Sequence, residues 1–273
     1  MKIKNFLFFI FIVRIFVGDA ATLISTILPI YDASIPFERV ITLGDHCQTK
    51  FQINFYFEKT HPGKAKDYTG GSHIFDWVKI SNLDLLASAF SNKLEGVCDE
   101  RMDVKVSSVA WSDVEMHAEP IDVYGIRYSH LFDKHPLIEQ NTLNLNGENI
   151  LLNKTLFDSN YSGVRDIVEY KKNKLINNTY RTMYIHYASD YSRGQITDAS
   201  VKRLRDSICV FRGDSNFVLH IVSNTSLPIE SAENITFSVI NNAVVEVHKQ
   251  LDPAWEELLN TYSYAPAPHS ERK

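Results

Sequence analysis

From residue 164 onward the chain alternates between helical spacing and short apolar runs, and this rhythm limits the fold more than any other feature. Val164, Ile167, Val168, Lys171 and Leu175 recur at helical spacing, with basic residues in the last turn where they complement the helix dipole. Thr182 to Tyr187 is a strand, Thr197 to Ile208 is a helix with Val201 and Leu204 inward, and Phe217 to Val222 is a continuously apolar strand interrupted by His220. Ile235 to Ile240 is another strand. Strands separated by helices of this length need crossover connections, so the chain predicts an α/β fold with a mostly parallel sheet in a three-layer α/β/α arrangement. Asp252-Pro253 marks one more helix start, a cap followed by proline at the first helical position, with Trp255, Leu258, Leu259 and Tyr262 on one face.

The N-terminal half carries the candidate chemistry. Val40-Ile41-Thr42-Leu43 is a short apolar strand that turns at Gly44 and delivers Asp45-His46-Cys47 to the next element. A thiol at the head of a helix sits among unpaired N–H groups at the positive end of the dipole, which favours thiolate over thiol. After Cys47 the periodicity is open: Phe51, Ile53, Phe55 and Phe57 alternate as in a strand, while Cys47, Phe51 and Phe55 share a helical face. Glu58 to Gly71 is polar, basic and glycine-bearing, the composition of an exposed loop or lid. Ser81 with Asp84 predicts a capped helix through Leu83, Leu86, Phe90 and Leu94. Strands are expected at Val104 to Val109 and at Asp122 to Ser129, the latter ending at His130, with a turn over Leu131 to Pro136.

At 273 residues and 44% hydrophobic content the chain can bury one substantial core. Its 28 basic and 33 acidic residues, net -5, provide no broad cationic surface, which argues against a nucleic-acid partner. Lys2 and Lys4, the apolar run from Phe6 to Val13 and from Ile15 to Val17, and Gly18-Asp19-Ala20 together have the form of a secretory signal. Arg14 leaves that run too short to span a bilayer comfortably, so no stable membrane span is expected once the signal is removed. The expected organisation is a signal peptide at 1–20, a linker at 21–36, a single α/β domain at 37–264 and a flexible tail at 265–273.

Three cysteines in an oxidising compartment leave one thiol over; a Cys98–Cys209 bridge would leave Cys47, although the sequence leaves the pairing open. No CxxC, Walker or GxGxxG pattern occurs, so no cofactor is expected. His130, Asp133 and His135 lack metalloprotease spacing, so no metal is expected. Asn153, Asn160, Asn177, Asn224 and Asn234 begin glycosylation sequons.

Three pieces of the chain taken together resemble a little-characterised family of papain-like cysteine peptidases: Val40-Ile41-Thr42-Leu43-Gly44 followed by Cys47, the triplet Phe75-Asp76-Trp77, and Tyr124-Gly125-Ile126-Arg127-Tyr128-Ser129-His130. The resemblance runs from about Val40 to Val222. It departs from the family pattern between Cys47 and Phe75, where an arginine-bearing helix and short loop are replaced by a Phe/Asn-rich segment and a longer Lys/Gly-containing insertion. It implies a helix after Cys47, Cys47 as nucleophile, His130 as its base and Asp76 as the group that orients the imidazole. A peptide or amide substrate is implied by the same resemblance. Two other classes stand beside it. One is a glycosyltransferase-like enzyme, suggested by the parallel sheet but lacking an Asp-x-Asp pair; the other is a secreted binding module with a structural Cys47.

Overall fold

The structure is a computed structural model that describes residues 35–44, 47–80, 82–99, 102–107, 117–128, 154–189, 193–241 and 249–267. The signal at 1–20, most of the linker, His46, the Ser81 cap, the strand end at Ser129-His130, the turn with Asp133 and His135, and the tail beyond residue 267 lie outside the described residues.

The fold is α/β. Strand β1 (Arg39–Thr42) leads through Gly44 into helix α1 (Cys47–Thr60), followed by the short α2 (Ala65–Thr69) and by α3 (Leu83–Ser91). A hairpin of β2 (Asp103–Ser107) and β3 (His117–Ile121) precedes the long α4 (Lys154–Ile176). The chain then alternates regularly: β4 (Thr182–Ala188), α5 (Asp198–Arg212), β5 (Phe217–Ser223), β6 (Ile235–Val239) and α6 (Pro253–Asn260).

Strands β1, β4, β5 and β6 form one parallel sheet in that spatial order, with Thr42 beside Ile185, Ile185 beside His220, and His220 beside Thr236. Alternate residues feed two cores. Ile41, Tyr184, Leu219 and Ile235 pack with Leu86 and Phe90 of α3, Val168 and Leu175 of α4, and Leu204 and Ile208 of α5. Val40, Met183, Ile185, Val218 and Val222 pack with Ile53 and Phe57 of α1, Tyr68 of α2, and Trp255 and Leu258 of α6. Both faces of the sheet are therefore covered. This is the physical reason that β4 and β5 are buried along their whole length and read as largely apolar runs rather than alternating ones.

Local chemistry fixes the ends of the helices. The Thr197 hydroxyl accepts from the Ser200 N–H while the Ser200 hydroxyl accepts from the Thr197 N–H, a reciprocal cap at the start of α5, and Gly213 closes the helix at φ 72°. Asp252 accepts from the Ala254 N–H ahead of Pro253, as the Asp-Pro pair predicts.

Two expectations are corrected. The segment from Glu58 to Gly71 is not simply an exposed loop: α1 continues to Thr60, and α2 stacks Tyr68 on Phe57 with ring centroids 4.6 Å apart. The polar composition reflects the outer face of this helical turn, while its inner face belongs to the core. Of the strand expected at Asp122 to Ser129, the described part, residues 122–128, is instead a turn and an extended return. The Asp122 carboxylate accepts from the N–H groups of Tyr124, Ile126 and Cys98 and from the Tyr128 hydroxyl, and Gly125 takes φ 70°. Ile126 and Tyr128 are buried on one side of this extended return, which produces a strand-like alternation without a strand ladder. The helix at Leu83 is capped by Asn82, whose Oδ1 accepts from the Asp84 and Leu85 N–H groups.

Candidate functional site

Cys47 is the first residue of α1, at the carboxyl edge of the parallel sheet, where open α/β folds keep their sites. The turn that delivers it is tight. Gly44 has φ 77°, and a Cβ there would lie 2.7 Å from Ile80 Cδ1 and 2.8 Å from Val78 Cγ2, so the backbone rests directly on the segment after Trp77.

The triplet at 75–77 holds that segment against α1. Phe75 is buried in the core beside Phe90, and Trp77 meets Phe51 edge to face at 5.1 Å. Asp76 is the latch. Its Oδ1 accepts from the Thr42 hydroxyl at 2.7 Å, and its Oδ2 accepts from the His73 N–H at 2.7 Å and pairs with Lys50 Nζ at 3.0 Å. Burial works to raise this carboxyl, but Lys50, His73 and the two hydrogen bonds together hold it below the usual carboxylate range. Asp76 is thus an ionised, fully buried anchor that ties the end of β1, the first turn of α1 and the 73–76 turn together.

The thiol itself is half-buried. Burial pushes it up, by more than its own N–H, the Gln48 N–H and the charge of Lys79 pull it down. These groups alone leave a protonated thiol, so nucleophilic use of Cys47 requires a base. Cys98 is fully buried, and burial together with the Asp122 charge raises its thiol well above the ordinary value. None of the three cysteines forms a disulfide.

The expected partners divide. Asp76 is brought close to Cys47's helix, through Lys50 and Thr42, whereas His130 lies outside the described residues. Three polar groups beside this site were not marked as candidates in the sequence. Lys50, one turn beyond Cys47, is buried, and its ammonium donates to Gly71 O at 2.7 Å. His73 is buried with its Nε2–H donating to Thr69 O at 2.7 Å, and burial lowers it to about 4, so it is a neutral imidazole. His186, buried on β4, donates through Nδ1 to Leu43 O at 3.2 Å, next to the turn that presents Cys47. A histidine inside the apolar run of β4, near its carboxyl end, was a legible signal; nothing in the spacing of Lys50 announces its burial.

No family model, curated protein or solved structure matches the chain. Among the described residues, no cluster of three or more His, Cys, Asp or Glu is arranged to hold a metal, and no helix is long and apolar enough to cross a membrane.

Proposed function

We propose that the protein is a thiol-dependent hydrolase or acyl transferase acting on a peptide or amide carbonyl, with Cys47 as nucleophile and His130 as its base. The observation that carries this reading is the position of Cys47. It heads α1 at the carboxyl edge of the sheet, with the N–H groups of Cys47 and Gln48 bonded toward the sulfur and therefore placed to stabilise charge there. In the reaction, the imidazole takes the thiol proton as sulfur bonds to the carbonyl carbon, and the same proton passes to the departing amine as the C–N bond breaks. Water then cleaves the thioester and regenerates the thiol. Asp76 enters as the anchor of the α1 start, which holds the nucleophile in place through Lys50 and Thr42.

The test is the pH dependence of alkylation by iodoacetamide, read site by site by mass spectrometry. Cys47 is expected to label in the native protein while Cys98 does not. A His130→Ala substitution is expected to move the pH midpoint of Cys47 labelling upward by a unit or more, on the order of the shift an imidazolium partner produces. An unchanged profile removes His130 as the base. If Cys47 also reacts no faster than an ordinary thiol, the binding-module reading replaces the enzyme.

A further inference from the structure

A second feature stands apart from the thiol. The Gly70–Ser72 turn runs along the outer flank of β1, and both helical layers send cations to it. From one layer Lys50 of α1 donates to Gly71 O at 2.7 Å; from the other, Lys174 of α4 donates to the next carbonyl, Ser72 O, at 2.9 Å. The turn is shaped for this approach: Gly71 has φ 79°, and a Cβ there would lie 3.3 Å from Lys174 Nζ. Lys171, one turn earlier on α4, is half-buried and has neither a hydrogen bond nor an ion pair among the described residues. Arg39 flanks the same turn, its Nε 3.4 Å from a Cβ built on Gly70, but it is already engaged, donating to Asp67 O at 2.6 Å and lying over the Tyr180 ring.

Among the described residues, the one carboxylate that acts on all three ammonium groups is Asp76, which Lys50 already occupies at 3.0 Å. Burying like charges together is unfavourable unless an opposite charge joins them. The mutual repulsion is visible in the lysines themselves: Lys174 is lowered to about 8, by burial first and then by Lys50, with Asp76 opposing and Arg39 and Lys171 adding to the effect. The hydroxyl of Ser72, in the same turn, is buried without a hydrogen-bond partner among the described residues. Basic side chains at a helix C-terminus also favour the dipole, but that interaction needs neither burial nor convergence on one turn.

We propose that Lys171, Lys174 and the Ser72 hydroxyl form a binding site for an oxyanion of the phosphate or phosphate-ester class. Such a ligand has several acceptor oxygens to satisfy two ammoniums at once and supplies the charge that Asp76 alone does not. The site is independent of Cys47 chemistry and stands whether or not the thiol is catalytic.

Isothermal titration of the full chain with inorganic phosphate and with phenyl phosphate tests it, at constant ionic strength set by chloride. Saturable binding of either ligand is expected, with the thermal unfolding midpoint rising as ligand is added. Lys171→Met is expected to weaken binding by about tenfold with little change in the unligated midpoint, because Lys171 makes no hydrogen bond or ion pair among the described residues; the Lys171→Met/Lys174→Met pair is expected to abolish it. Lys202→Met, which removes an exposed lysine paired with Asp198, serves as control and is expected to bind like the parent. Absence of saturable binding by both ligands overturns the proposal, as does equal binding by the Lys171→Met protein.

Discussion

Replacing Asp76 with alanine removes the one carboxylate on which the start of α1 depends. The side chains of Lys50 and Asp76 are 4% and 0% exposed, so truncation strands a buried ammonium with Gly71 O as its remaining acceptor. Breaking a buried pair from one side costs about 3–5 kcal/mol, because the desolvation of the surviving charge is no longer offset. The Thr42 hydroxyl and the His73 N–H lose their acceptor in the same step, which places the expected loss toward the upper end. Against a typical domain stability of about 5–15 kcal/mol this is a large fraction, and it should lower the urea midpoint by roughly 1.5 M or more with an unchanged slope. The Lys50→Met/Asp76→Ala double substitution removes both charges. It should be less destabilised than the two single changes summed, by about 2 kcal/mol, since neither partner is then left alone. Equilibrium urea unfolding followed by far-UV dichroism measures all four proteins. A loss below about 1 kcal/mol for Asp76→Ala, or strict additivity in the cycle, would refute the anchor.

Gly44→Ala should destabilise by about 2–4 kcal/mol in the same unfolding assay, since it combines a left-handed backbone with a Cβ forced onto Val78 and Ile80. Thr197→Ala should cost about 1 kcal/mol by removing one half of the α5 cap. His73 and His220 are both held neutral by burial, at about 4 and about 3 in the folded chain against an ordinary value of 6.5. The unfolded chain therefore binds more protons between those folded values and 6.5, and stability should fall as pH drops from about 6.5 toward 4, by up to about 1.4 kcal/mol per unit for each group. His73→Gln should flatten that slope in urea midpoints taken across the window; an unchanged slope would show that His73 does not titrate this way.

The parallel sheet was legible because its causes are local in sequence. The largely apolar runs at 182–188 and 217–223, each broken by one histidine, announce strands covered on both faces, and Asp252-Pro253 and Thr197 mark helix starts through hydrogen bonds that reach only two or three residues along the chain. The strand-turn-thiol arrangement was equally readable, since Gly44 and the apolar run before it determine their own geometry. Around Cys47 the decisive partners are remote. Lys50 meets Gly71 across 21 positions, Thr42 meets Asp76 across 34, and Lys174 reaches Ser72 across 102. A lysine in a helix is by default a solvated residue, and only the closure of two helical layers over the flank of β1 withdraws Lys50 from water. The same holds at Asp122, where alternation imitated a strand because burial follows the tertiary environment of Ile126 and Tyr128, while the carboxylate had already turned the backbone. Period and capping are properties of neighbouring residues; the pairing of buried charges belongs to the assembled fold, because the desolvation that makes each pair necessary does not exist until the layers close.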